Sequence, residues 1–275
     1  MIDLHVHSTA SDGTFSPARL AELGRGFSVM ALTDHDCTDG AEEFLSVPAS
    51  GPRIVGAELD VDPGEGYRRF HLLAYGFDRT DPAMLKLLAT LRHDREERNL
   101  KMVERLNALG LDITVADWMK FSPGLLARPN LARALVAKGY ASNISEAFDR
   151  WVGDDAPGYV RRHMRDPGEA IDTIHAAHGI AVMAHPIHWT RDENLLRSGL
   201  AALKDRGLDG LECEYQANQL QDTVLHLRIA KELDLAPTAG SDFHGGNKPD
   251  ITLGMSVGNE TEFLKPFFRA LERRS

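Results

Sequence analysis

The chain has 275 residues and a formal net charge of −10, with 43% hydrophobic and 26% charged residues. These are the proportions of a soluble globular protein large enough for one sizeable α/β domain or one domain with an insertion. The negative balance speaks against broad binding to long nucleic acid, which needs many Lys and Arg contacts to phosphates, and no apolar run approaches the roughly 20 residues that cross a bilayer.

From the N-terminus, short apolar runs alternate with helical patterns. A strand is expected at Ile2 to Val6 and a helix from Ser16 to Arg25, with Ser16 as cap and Pro17 at its first position. Strand Val29 to Thr33 and a helix after Thr38 follow, then strands Arg53 to Val61 and Phe70 to Tyr75. Such alternation predicts parallel strands covered by helices, with strand tips on the ligand-binding side. From Thr80 to Val160 the pattern turns helical. It opens with the long charged segment Asp81 to Leu109, which stops at Gly110, and continues with Ala132 to Lys138 and Ile144 to Trp151. Alternation then resumes with Pro167 to His178, Ile180 to Ala184, Glu193 to Arg206, Leu208 to Cys213, Leu220 to Leu233 and the turn into Thr238 to Ser241. The expected organisation is a barrel-like α/β domain formed by 1–79 and 161–275, interrupted by a helical insertion at 80–160 that covers the mouth of the site.

Chemistry-bearing residues gather at the strand ends. His5 and His7, at i and i+2 of a strand, project to one face with Cα atoms about 6.6 Å apart, close enough to chelate one ion, while Val6 points into packing. Asp12, His35, Glu58, His71, His185, Asp242 and His244 occupy comparable positions. Nine nitrogen and oxygen donors exceed the three or four that one catalytic zinc takes, and suit two or three divalent ions with open positions for water. Without thiolates the set fits Mn²⁺, Fe²⁺ or Zn²⁺. Such a cluster acidifies water and clamps phosphoryl oxygens, as phosphate-ester hydrolysis requires. Asp34 and Asp36 are expected to orient ligands or cap the next helix, and His188 to lie just behind the donors. His93, His163, His175, His178 and His226 fall in helical or loop contexts and are read as ordinary core or surface residues. The two cysteines, Cys37 and Cys213, form no CxxC pair and are expected to be reduced and buried. The N-terminus lacks the basic and apolar regions of a secretion signal, so a cytoplasmic location is expected.

The set HxH, TDHD, an acidic residue before a downstream histidine, AHP and SDFH resembles the PHP family, the polymerase and histidinol phosphatase phosphoesterases of the amidohydrolase superfamily. The resemblance implies a distorted (β/α)7 barrel with a trinuclear site. It would place His5, His7 and Asp242 on one ion, His71 and His185 on a second, and Asp12, His35 and His244 on a third, with Glu58 bridging. The helical insertion resembles that of the stand-alone branch, which includes nucleoside 3′,5′-bisphosphate phosphatases and 5′→3′ exoribonucleases on short RNA. The segment Ala127-Arg128-Pro129-Asn130 is similar to that branch's GRPH element, with Ala127 in place of glycine and Asn130 in place of histidine. Arg128 is therefore the expected phosphate clamp, helped by the N-terminus of a helix beginning at Asn130. Arg133, Arg161 and Arg162 are weaker candidates for a second phosphate.

The expected activity is a metal-dependent phosphomonoesterase acting on a small nucleotide with two phosphates, such as adenosine 3′,5′-bisphosphate. The alternative is a 5′→3′ exoribonuclease on short 5′-phosphorylated RNA. A histidinol phosphatase matches the insertion less well, and a nucleotide-binding module without turnover is disfavoured because no proposed ligand is missing.

Overall fold

The structure, a computed structural model, describes residues 1–64, 68–121 and 125–274. Seven strands form one sheet in the order of the chain: β1 (Ile2–Asp3), β2 (Val29–Leu32), β3 (Arg53–Val61), β4 (Phe70–Tyr75), β5 (Ile180–Met183), β6 (Gly210–Tyr215) and β7 (Ala236–Gly240). The sheet curls into a nearly closed barrel. The backbone N–H of Leu4 donates to Ala239 O at 2.9 Å, that of Asp242 to His5 O at 2.8 Å, and that of His7 to Phe243 O at 3.0 Å, so the two ends of the sheet meet. β1 stops at Asp3 although the apolar alternation runs to Val6, because beyond Asp3 the backbone is shared between the two ends of the sheet: the Leu4 and His7 N–H groups donate to Ala239 and Phe243, while Val6 O accepts from the Thr33 N–H at 2.9 Å.

One strand departs from the expected parallel pattern. β4 runs antiparallel to both β3 and β5, whereas the other neighbours are parallel. Only eight residues, 62–69, join β3 to β4, too few for a crossover helix, and a short link forces reversal. As a result His71, at the start of β4, lies at the same barrel end as the tips of the parallel strands.

Period-two alternation divides the strands cleanly. Ala57, Leu59, Leu72, Ala74, Ala181 and Met183 face outward, under α3 (Pro82–Ala108), α7 (Pro167–Ala176), α8 (Glu193–Asp205) and α9 (Leu220–Glu232). Leu73, Tyr75, Ile180, Val182 and Ala184 face inward, where Leu264 and Phe267 of α10 (Glu260–Glu272) join them. Glu58 and His71 belong to the inward set. α10 has no counterpart in the sequence expectations, although its apolar stripe and its Asn259 cap are ordinary helix signals. Two helices precede the insertion: α1 (Pro17–Leu23), capped as expected by the Ser16 hydroxyl accepting from the Arg19 N–H at 3.2 Å, and α2 (Ala41–Leu45).

Within 80–160, α3 is capped by Asp81 and spans 27 residues. α4 (Val115–Met119), not expected from sequence, is followed by α5 (Arg128–Ala137) and α6 (Ile144–Ala147), the last running into a π turn at Phe148–Val152. α5 begins at Arg128, two residues before the Asn130 start expected for the phosphate-binding helix, because Pro129 is tolerated in a first turn. Met102, Leu106, Trp118, Leu131, Leu135 and Val152 pack into an apolar cluster of their own, while the first turns of α3 pack on the barrel through Met84, Leu88 and Leu91. Cys37 and Cys213 are free and buried. Among the described residues no helix is long and apolar enough to cross a membrane.

Candidate metal centre and cleft

All nine donors converge at one end of the barrel. Three sets have ligand atoms within 4.8 Å of one another: His7, Asp12, His35 and His244; His5, His7, Glu58 and Asp242; and Glu58, His71 and His185. Glu58 stands in the middle. Its Oε1 lies 2.7 Å from His71 Nδ1, 2.9 Å from His185 Nε2 and 3.4 Å from His5 Nε2, while its Oε2 is 3.1 Å from both His7 Nε2 and His35 Nδ1. Asp242 Oδ1 reaches His244 Nδ1 at 3.3 Å, His7 Nε2 at 3.4 Å and His5 Nε2 at 3.6 Å. Asp12 Oδ1 is 3.2 Å from His244 Nε2 and its Oδ2 4.0 Å from His35 Nε2.

The donor chemistry fits cations better than it fits hydrogen bonding. His5 Nε2 and His7 Nε2 face each other at 3.1 Å, two ring nitrogens that can satisfy each other only by sharing a proton. His35 Nδ1, buried, has no hydrogen bond despite its nearness to Glu58. The protonation pattern is equally mixed. Burial disfavours charge throughout, yet Glu212, Glu58 and Asp242 raise His5 well above its ordinary range, while burial and His244 push His7 well below it. Burial alone would raise the Glu58 carboxyl, but His35, His71 and His5 hold it well below the usual carboxylate range. Burial opposes charge on His71 too, and Asp60 and Glu58 outweigh it, raising that imidazole to about 10.

A supporting layer fixes these groups. Glu212, in β6, takes His5 Nδ1 at 3.0 Å and the backbone N–H of His185 at 2.6 Å, orienting two donors on separate strands. Asp34 accepts from the Ser8 N–H and hydroxyl, both at 2.7 Å, and from the Ser11 hydroxyl, pinning the loop that carries Asp12. Asp3 does the same for the loop of Asp242, accepting from the Ser241 N–H at 2.9 Å and hydroxyl at 2.6 Å. Asp36 sits between Arg95 and Arg162. The Tyr215 hydroxyl donates to Asp242 Oδ2 at 3.2 Å, with His188 Nε2 3.2 Å behind it, and Lys248 Nζ contacts the same oxygen. Asp36, His185 and Asp242 all take positive φ (53°, 25° and 58°), a costly backbone for non-glycine residues that here turns three strand ends toward the centre. Of this layer, Asp34, Asp36 and His188 were expected from sequence. Asp3, Asp60, Glu212, Tyr215 and Lys248 were not, though a carboxylate inside the apolar run Leu211-Glu212-Cys213 is a readable anomaly.

Gly240 tests the tightness of this arrangement. A Cβ there would collide with His5 Cβ and Glu212 Oε1, so Gly240→Ala must displace both. Turnover is expected to fall by up to about 100-fold through misplacement alone, with only a modest fall in melting temperature; unchanged kinetics would show that the pair has slack.

Above the donors opens a cleft of about 1060 Å³ whose walls carry Arg68, Arg69, Arg95, Arg98, Arg128, Arg161, Arg162 and Lys248. In a chain of net charge −10 this concentration of cations marks an anion site. Arg128 is here as expected, stacked 5.3 Å over Tyr159 and paired with Asp154. Arg162 is buried on Asp36 and Asp60, and Arg161 pairs with Asp62. Asn130 and Arg133 are not among the lining residues. Asn130 accepts from Asn247 Nδ2 at 2.9 Å and Arg133 donates to Asn247 Oδ1 at 2.5 Å, so both join α5 to the loop after β7, with Arg133 also stacked on Phe121. On α5 both fall on the side packed against that loop.

Comparisons agree with this geometry. No protein-family model matches the chain. It is 35% identical over 246 residues to a 5′-3′ exoribonuclease of Haemophilus influenzae, covering 88% of this chain and 89% of that one. It is 30% identical over 282 residues to a 3′,5′-nucleoside bisphosphate phosphatase of Chromobacterium violaceum, covering 99% and 97%. A solved structure from Bifidobacterium adolescentis, assigned as a metal-dependent phosphoesterase, superposes with a TM-score of 0.82 at 32% identity over 96% of both chains.

Proposed function

Since the chain belongs to the PHP family of metal-dependent phosphoesterases, we propose that it removes the 3′-phosphate of nucleoside 3′,5′-bisphosphates, typified by conversion of adenosine 3′,5′-bisphosphate to AMP and phosphate. The observation that carries this reading is the juxtaposition of a nine-donor centre and an arginine-walled cleft large enough for a nucleotide. In this reading His5, His7 and Asp242 hold one divalent ion, His71 and His185 a second, and Asp12, His35 and His244 a third, with Glu58 shared. Mn²⁺ is the favoured ion, and Fe²⁺ or Zn²⁺ suit the same donors. Bound divalent ions supply Lewis-acid polarisation of the phosphoryl group and an acidified water.

The chain's own groups do the rest. Glu212 keeps the His5 ring turned toward the centre; Lys248, His5 and His244 outweigh burial and keep Asp242 ionised, and the Tyr215 hydroxyl aims it. Arg128 grips phosphate from the cleft wall, where its fork can bind two oxygens at once. The helices of 80–160 form the cap that closes over the nucleotide, on a barrel made of 1–79 and 161–275.

A second reading, 5′→3′ cleavage of short RNA, is favoured by one feature. A groove of about 680 Å³ shares Arg68, His188 and Trp189 with the cleft and continues past Arg191. The test is to give Mn²⁺-loaded protein adenosine 3′,5′-bisphosphate and a 5′-phosphorylated RNA trimer in parallel, following phosphate and mononucleotide release separately. Phosphate from the bisphosphate at higher kcat/KM is the expected result. Faster release of mononucleotides from the trimer would make the protein a nuclease first.

A further inference from the structure

At the end of the barrel opposite the donors, a pocket of about 710 Å³ opens between α9 and α10, beside the start of β7. Ala236 begins β7 in its wall and Asp242 follows the far end of that strand, so about 20 Å of extended chain separates the pocket from the donor centre. Five cations line it: Lys204, Lys231, Arg269, Arg273 and Arg274. Two of them are occupied. Lys204 Nζ donates to the backbone O of Asp234 at 2.7 Å, and Arg274 Nη2 lies 3.5 Å from Asp209 Oδ1. The other oxygen of Asp209 accepts from the Ala181 N–H at 2.9 Å and faces His175 Nε2 at 2.8 Å, which leaves that carboxylate fully engaged.

Lys231, Arg269 and Arg273 are different. All three are exposed, and among the described residues none has a carboxylate within ion-pair distance, although Asp234 shares the pocket. Arg269 and Arg273 stand at i and i+4 of α10, a spacing at which like charges repel. In a chain of net charge −10 such an excess of unpaired cations marks a place for an anion. The floor beneath them is apolar. Leu227 and Ala230 of α9, Leu235 and Pro237 around the start of β7, and Pro266 of α10 form it, and the two prolines present rings with no backbone donor. An apolar hollow with a few convergent charges is the usual form of a small-molecule site, whereas a bare anion would leave that floor unused.

From this pairing we infer that the pocket is a second ligand site, remote from the donor centre, that takes an organic phosphate with a flat ring, of nucleoside monophosphate size. The ring lies on the Leu235, Pro237 and Pro266 floor, and the phosphate bridges Lys231, Arg269 and Arg273. Such binding is independent of which ester the donor centre cleaves.

The test counts bound AMP per chain by equilibrium dialysis of the metal-loaded full chain, the double variant Lys231→Glu/Arg273→Glu and the single variant Arg269→Gln. AMP held in the cleft is common to all three and cancels in the comparison. The substituted side chains are exposed, so the fold should be kept. The double variant is expected to lose one equivalent of AMP, or to hold it at least about tenfold more weakly, and Arg269→Gln to weaken the same equivalent. Inorganic phosphate and adenosine, each carrying half of the ligand, should compete for it at least about tenfold less well than AMP. Equal AMP binding by the wild type and both variants would overturn the site. Competition by inorganic phosphate as effective as that by AMP would reduce the pocket to an anion trap and overturn the organic ligand.

Discussion

Glu58→Gln is expected to lower turnover by more than about 100-fold and to strip metal from the protein, even though glutamine has the shape of glutamate. The carboxylate is within 3.4 Å of five imidazoles, with His5, His71 and His185 toward one oxygen and His7 and His35 toward the other. Glutamine replaces one of those oxygens by an NH₂ group that cannot ligate a cation and would point its protons at ring nitrogens. Losing a group behind a ligand typically costs 10- to 100-fold in metal affinity or activity, so losing a carboxylate shared between two donor sets should exceed that range. The check is kcat together with metal content per chain by elemental analysis. Full metal with near-normal kcat would remove Glu58 from the centre.

Chelation is expected to lower the melting temperature by roughly 10 °C, with recovery on adding Mn²⁺. A cation bound only by the folded chain stabilises it by about 4 kcal/mol at a thousandfold excess over its Kd, and for chains of this size each kcal/mol moves the midpoint by about 2–4 °C. The effect should be large here because the donors are preassembled: His5, His7, Glu58, Asp242 and His244 are each at most 3% exposed and crowd one another, with Lys248 on Asp242 as their one Lys or Arg ion pair among the described residues. Scanning calorimetry before and after dialysis against a chelator decides it. A midpoint that does not move would mean that the donors are satisfied by one another and not by metal.

The nine donors were legible because most stand near strand ends, where a histidine or carboxylate after an apolar run has few structural uses, and because three of them follow within a few residues of another; Glu58, inside β3, and Asp12, in the loop after β1, are the exceptions. The barrel was legible from alternation, and the reversal of β4 could have been read from the shortness of 62–69. What surrounds the donors was harder. Arg95 and Arg98 sit in Asp94-Arg95-Glu96-Glu97-Arg98, which reads as the solvated face of a charged helix until the barrel supplies Asp36 and Asp60 opposite it. Glu212 and Asp3 act on residues about 200 positions away, a distance that only closure of the sheet removes. Asn130 and Arg133 were less legible: Ala127, Arg128 and Pro129 of the same segment line the cleft, while Asn130 and Arg133 bond Asn247, since a helix turns about 100° per residue.

The single reversed strand also decides where this protein tolerates change. Because β4 enters at the donor end and leaves at the opposite end, its two connections open onto different faces of the molecule. Of the 62–69 link, Arg68 and Arg69 line the cleft, so altering its length is expected to reshape the cleft. Residues 76–81 launch α3 from the remote end, and its 27 residues, about 40 Å of helix, run back to the cleft, where Arg95 and Arg98 form part of the wall. Closure of the barrel depends instead on residues 2–7 and 239–243, distant in sequence from both connections. New specificities can therefore be sought by exchanging the insertion or the 62–69 link as cassettes, leaving the register that assembles the donors untouched.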